Sequence, residues 1–212
     1  MPDDDGLGEL QGCVVEAIRS HRLRDFPDIR ELSERIDTGV LVPLQLEPVP
    51  TVTMIVRAAG LRHHANEVAF PGGKRDPSDT DLLSTALREA HEELGLPPDD
   101  VQVVGKLSPV PVATSRYRLN PYVGIVAPSR PAWAPSGEIA RVLDLRLSAL
   151  VDGTHEYCTM SVPWADRQYI VPVFVIDEQT RLYGASAIVL FEALSVLLPC
   201  FGLALPRPRM LG

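Results

Sequence analysis

The spacing of apolar positions divides the chain into helical and extended stretches. VVEAIRSH and IRELSERI carry apolar residues three and four apart, which predicts a helical region over residues 1–45. LVPLQLEPVP is interrupted by prolines and reads as a connector. TVTMIVRAA is a β-type run, and NEVAFPGG is a short strand ending in a tight glycine turn. After the polar loop KRDPSDTD, Thr80 or Asp81 is placed to cap a helix that runs to about Leu94 and stops at Gly95. VQVVGKLSPV, LNPYVGIVA, EIARVLDLRL and YIVPVFVI are further strands, and a last helix starts near Ala185. Many strands with two or three helices predict an α+β fold, a mixed sheet packed between helices. The expected division is a helical extension over 1–45 on a main domain of 46–212.

Composition narrows the partners. The 212 residues are 45% hydrophobic, enough for a sizeable core. A net charge of −8 argues against wrapping nucleic acid and leaves small phosphorylated ligands open. Cys13, Cys158 and Cys200 are odd in number and far apart, which predicts three reduced thiols. MPDDDG has no basic, then apolar, leader pattern, so the cytoplasm is expected. Residues 187–205 are about as long as a membrane span, but Glu192, Pro199 and Gly202 interrupt them. A buried helix is expected there, and the same apolar face would allow a homodimer.

The chemistry concentrates in LREAHEELGL, residues 87–96. Glu89, Glu92 and Glu93 share a helix face, with Arg88 beside them. Mutually repelling carboxylates make sense around a divalent cation, and oxygen-only donors suit Mg²⁺ or Mn²⁺. A solvated acidic face is the plainer alternative. FPGGKRDPSD adds a glycine turn through which backbone can approach a metal or phosphate.

Together, Gly73, Asp79, Arg88, Glu89, Ala90, Glu92, Glu93, Gly95 and Leu96 resemble the signature of Nudix hydrolases. An Asp at 79 and a spacer of eight residues before Arg88 are similar to the coenzyme A pyrophosphatase branch. LRHHANEVAFPGG resembles that branch's second motif through Leu61, Arg62, His64 and residues 68–73. LSPVPVATSRYRLNPYVGIV and LYGASA extend the likeness to roughly residues 50–195. Asn66 stands in place of the branch's Gly, Glu67 of its Gln, and Ala58 of its Ser.

The resemblance implies metal-dependent hydrolysis of coenzyme A or an acyl derivative to a phosphopantetheine-type product and adenosine 3′,5′-bisphosphate. It implies Glu89 and Glu93 as the main metal ligands, Glu92 assisting, and the Gly73 carbonyl completing the shell. Arg88 would orient a carboxylate, and Glu138 would serve as base or further ligand. Arg57, Arg62, His64, Phe70 and Asp79 would serve the substrate. His63 shares the phosphate role with His64, against a structural reading of both, and His91 is expected in solvent. Trp133, Trp164, Tyr117 and Tyr122 are expected in packing rather than stacked on a base. Two other readings stand beside this one: another nucleoside diphosphate derivative (ADP-ribose, NADH or a dinucleotide), or a non-catalytic binding module of the same fold.

Overall fold

The computed structural model describes residues 4–26, 34–60, 66–129, 132–164 and 167–211. Helix α1 (Asp4–Ser20) leads into β1 (Ile36–Gln45) and β2 (Thr51–Arg57). Short β3 (Val68–Ala69) and β4 (Gly72–Lys74) precede α2 (Leu82–Leu94). β5 (Val101–Lys106), β6 (Val110–Pro111), β7 (Tyr117–Val126) and β8 (Ile139–Arg146) follow. The chain then forms β9 (Glu156–Trp164), β10 (Arg167–Val175), β11 (Arg181–Leu182), α3 (Gly184–Leu197) and β12 (Arg209–Leu211).

The main sheet runs β3-β2-β1-β7-β5, with β4 on β1, β6 on β7 and β8 on β2. β1 and β7 are parallel and the other pairs antiparallel, so the sheet is mixed as expected. Alternation along each strand serves two faces. Val40, Val42 and Leu44 of β1 and Val52 and Met54 of β2 join the core beneath α1 and α3. Leu41 and Ile55 point the other way, onto Ala86, Ala90 and Leu94 of α2. A second sheet, β11-β10-β9-β12, completes the fold.

Three expectations are corrected. The helical region ends early: α1 stops at Ser20, residues 27–33 of the IRELSERI region lie outside those described, and Ile36 opens a strand. The supposed connector contributes residues 41–45 to that strand, despite Pro43. Leu41 gives its N–H to the Pro71 carbonyl. Position 43 therefore faces the same side, where β1's neighbour changes from β4 to β2 and a missing N–H breaks no ladder bond. Finally, Cys13 and Cys200 form a disulfide, with a Cα separation of 5.7 Å, and only Cys158 is a free, buried thiol. Cysteines 187 positions apart give no spacing signal, and only the docking of α1 beside the end of α3 brings them together.

The C-terminal helix is buried as expected. The stretch Gly184–Phe201 is long and apolar enough to cross a membrane, yet Ala187, Val189, Leu190, Glu192, Ala193, Leu194 and Leu197 are buried in the core.

Candidate active site

Helix α2 is defined by its ends. Asp81 caps it by accepting the Ser84 N–H, and the Ser84 hydroxyl accepts the Asp81 N–H in return. Gly95 ends it at φ 68°, a left-handed conformation that glycine adopts without penalty. Between these ends, the face of α2 that carries Ala86, Ala90 and Glu93 is buried against the sheet, where β4 begins at Gly72 and Gly73. Gly73 lies so close to Glu89 that a Cβ there would run into the carboxylate. Glu93 Oε2 accepts the Gly72 N–H at 3.0 Å. Glu89 and Glu93 therefore converge on these glycines, their side chains 18% and 7% exposed. Glu92 is 57% exposed and turns away.

Arg88 organises the outer side. It donates to both Asp79 oxygens at 3.0 and 3.1 Å, to Glu89 and Glu92 at 3.0 Å each, and to the Lys74 carbonyl at 3.0 Å. Asp79 also accepts the Asp76 N–H and the Thr85 hydroxyl. Arg88 above all holds its carboxyl down to about 2. Expected at the substrate, Asp79 is instead buried behind Arg88. Phe70, assigned the same role, is 3% exposed and belongs to the core, packed just beyond β3 in the same cluster as Val68. Arg62, His63 and His64 lie outside the described residues.

The inner side is held by Arg57, whose guanidinium stands 3.1 Å from Glu93 and 3.6 Å from Glu138. Glu138 arrives on the loop from β7 to β8. There Ala134 and Ser136 donate N–H bonds to the Leu94 and Glu93 carbonyls at the end of α2. Burial pushes the Glu93 carboxyl up to about 7, with the nearby Glu89 and Glu138 charges adding to it and Gly72 and Arg57 opposing. Burial raises Glu89 as well. His91 is exposed, while Trp133 packs beside α2 and donates its indole N–H to Asp144. Tyr122 packs on the same cluster, and Tyr117 lies under Lys74. Two contributors have no sequence signal of their own: the Gly72 amide and the Arg57 bridge, which exist only once β2, β4 and α2 are assembled.

A hard divalent cation fits this donor set. Two carboxylates are driven toward neutrality by burial, share an oxygen-only corner, and close on the start of β4, where Gly72 at φ 156° has backbone against the place a Cβ would take. Among the described residues no three acidic, histidine or cysteine side chains already form a ligating group. Glu89 and Glu93 would thus hold the ion together with backbone and ligand oxygens. The apolar groove of about 320 Å³ lined by Tyr157, Phe191 and Leu205 lies on the α3 side of the fold, where none of these acids stands.

The family described as NUDIX domain matches residues 37–144. The Nudix hydrolase NudL of Pectobacterium atrosepticum, described as uncharacterized, is 37% identical over 145 residues, 68% of this chain and 75% of its own. The NudL of Yersinia pestis is 45% identical over 109 residues, 51% of this chain and 54% of its own. The chain thus spans about half the length of the Yersinia relative. A MutT/nudix family protein from Enterococcus faecalis shares the fold, with a TM-score of 0.52 over 95% of this chain and 81% of that one, at 13% identity.

Proposed function

The chain belongs to the Nudix family of hydrolases, and we propose that it hydrolyses the diphosphate bond of coenzyme A or an acyl-coenzyme A with Mg²⁺ or Mn²⁺. The carrying observation is the convergence of Glu89 and Glu93 on the Gly72–Gly73 turn, one braced by Arg88 and the other by Arg57. Nudix hydrolases generally use divalent cations. When bound, the ion offsets phosphoryl charge and acidifies coordinated water. Glu89 and Glu93 would hold it, with the Gly73 carbonyl as a further donor and Glu92 at the rim. Arg88 keeps the Glu89 carboxylate aimed by fastening it to buried Asp79. Glu138, 63% exposed beside Arg57, can take a proton from water and release it to solvent.

Asn66 supports the coenzyme A reading. It adopts φ 60°, a left-handed backbone in which Asn is the usual substitute for Gly. The departure from the branch's glycine therefore preserves the turn that returns the chain to Arg57. Glu67 and Ala58 favour the second reading, another nucleoside diphosphate derivative such as ADP-ribose or NADH, because an added acid weakens attraction for the 3′-phosphate of coenzyme A.

Purified protein with Mg²⁺ or Mn²⁺ is offered coenzyme A, acetyl-coenzyme A, ADP-ribose and NADH, and products are separated by chromatography. Release of adenosine 3′,5′-bisphosphate that disappears in Glu93→Gln is expected. Faster cleavage of ADP-ribose or NADH moves the substrate, and no turnover of any of them favours a binding module. The cytoplasmic location belongs to the same proposal. Because disulfides are rare there, a thiol count on protein taken from cells tests it against the Cys13–Cys200 bond.

A further inference from the structure

Arg57 is the last residue of β2, and the β2–β8 ladder changes register at this point. Val56 pairs with Arg141 but Arg57 with Ile139, leaving Ala140 as a bulge. Bulges re-aim side chains beside functional sites. Here the shift is followed by a bond from the Ala58 N–H to the Glu138 carbonyl, and the Arg57 guanidinium bridges the Glu93 and Glu138 carboxylates. Each oxygen of Glu93 has a protein donor: Arg57 on Oε1 and the Gly72 amide on Oε2. The amide is fixed in a strand. Arg57 rides on a flexible side chain that is 23% exposed, so of the two donors it is the one able to leave.

We propose that Arg57 is a positioning residue that serves as an internal counter-cation, holding Glu93 and Glu138 together in the metal-free protein. An arriving divalent cation displaces it from Glu93, and its guanidinium becomes free to meet the diphosphate. This rests on the reading of Glu89 and Glu93 as cation ligands. Metal and guanidinium compete for one carboxylate, and like charges repel, so the two occupancies are negatively coupled. The diphosphate brings the anion that Arg57 then needs, so metal and substrate loading reinforce each other.

The test is Mn²⁺ binding without any substrate, read from the spin resonance of the free ion. Arg57→Gln removes the competitor, and the Mn²⁺ Kd is expected to fall at least about fivefold. A merely structural role would leave Mn²⁺ binding unchanged or weaken it, and either result in a folded variant overturns the proposal. Glu93→Gln is the control. If it loses Mn²⁺ while Arg57→Gln binds no tighter than wild type, the Arg57 proposal alone falls. If Glu93→Gln binds Mn²⁺ normally, the cation site falls with it. A second readout uses the wild-type protein: the Arg57 Nε–Hε resonance, assigned by its absence in Arg57→Lys, should move on titration with Mg²⁺. A resonance that stays in place through saturation also overturns the proposal.

Discussion

Two glutamates lie buried on helices at opposite faces of the main sheet, Glu93 of α2 at 5% exposure and Glu192 of α3 at 0%. Glu192 accepts from Ser108 Oγ at 2.5 Å and the Ser108 N–H at 3.1 Å, and its Oε1 lies 2.7 Å from His21 Nε2. Ser108 Oγ in turn accepts the Arg24 N–H. One carboxylate thereby ties the segment after α1, the β5–β6 loop and α3 into one network. Glu93 has a backbone donor on one oxygen and a partly exposed guanidinium on the other, beside a second desolvated acid. Burial alone does not mark a functional acid. What separates the two is whether rigid groups satisfy the carboxylate or a displaceable cation does.

The largest expected effect comes from Glu93→Gln. Whether the carboxylate holds the ion or moves a proton, diphosphate hydrolysis should fall about 10²–10⁴-fold. The thermal melt should hardly change, since Gln keeps an acceptor for the Gly72 N–H and removes a buried charge. A melt that collapses while the folded fraction stays active would make Glu93 a second Glu192 and erase the contrast.

Glu192→Ala is the mirror experiment. It leaves the Ser108 N–H and His21 without their buried partner, and urea unfolding should show a loss of about 3–5 kcal/mol. Turnover per folded molecule should remain that of wild type. A matching loss of turnover would mean that the α3 network reaches the carboxylates across the sheet.

The Cys13–Cys200 bond sharpens the same contrast, because it staples α1 to the turn after α3 on the Glu192 side. Cys13→Ser should lower stability by about 2–4 kcal/mol in non-reducing buffer and leave Mn²⁺ binding unchanged. In reducing buffer wild type and variant should melt together, and a difference that persists there would assign the effect to packing at position 13.

These regions were unequally legible in the sequence. Helix α2 could be read almost to the residue, because Asp81, Gly95 and the acids at 89 and 93 act through local rules of capping and helical spacing. β1 could not, since Gly39 and Pro43 are local arguments against a strand that β4, β2 and β7 override. β9 was missed although Cys158, Met160 and Val162 alternate with Thr159 and Ser161, because Pro163 near its end reads locally as a strand breaker. Within the site, Arg57 could be named as a cation of interest. Its engagement with Glu93, 36 residues away, depends on the β2–β8 register and is invisible before the sheet exists. Phe70 misled for the opposite reason: it sits inside a functional motif but serves the core.

Asp79, a third buried acid at 6% exposure, falls between the two glutamates and gives the smallest expected effects. Its partners are Arg88, Thr85 and the Asp76 amide, and Arg88, tied as well to Glu92 and the Lys74 carbonyl, passes the constraint on to Glu89. Asp79→Asn should therefore reduce hydrolysis about 10–100-fold, as expected for a group that orients a ligand without touching the ion. It should also show in the pH dependence of stability. The folded protein holds this carboxyl at about 2 against an ordinary 3.8, so the ionised form favours the folded state. That contribution is complete above the ordinary value and is lost as the pH falls toward 2. In urea titrations wild type should exceed Asp79→Asn at pH 5, and the gap should narrow by pH 3. A gap independent of pH would mean that Asp79 works through shape and neutral hydrogen bonds, which would place it with Glu192 and leave Arg88 to orient Glu89 alone.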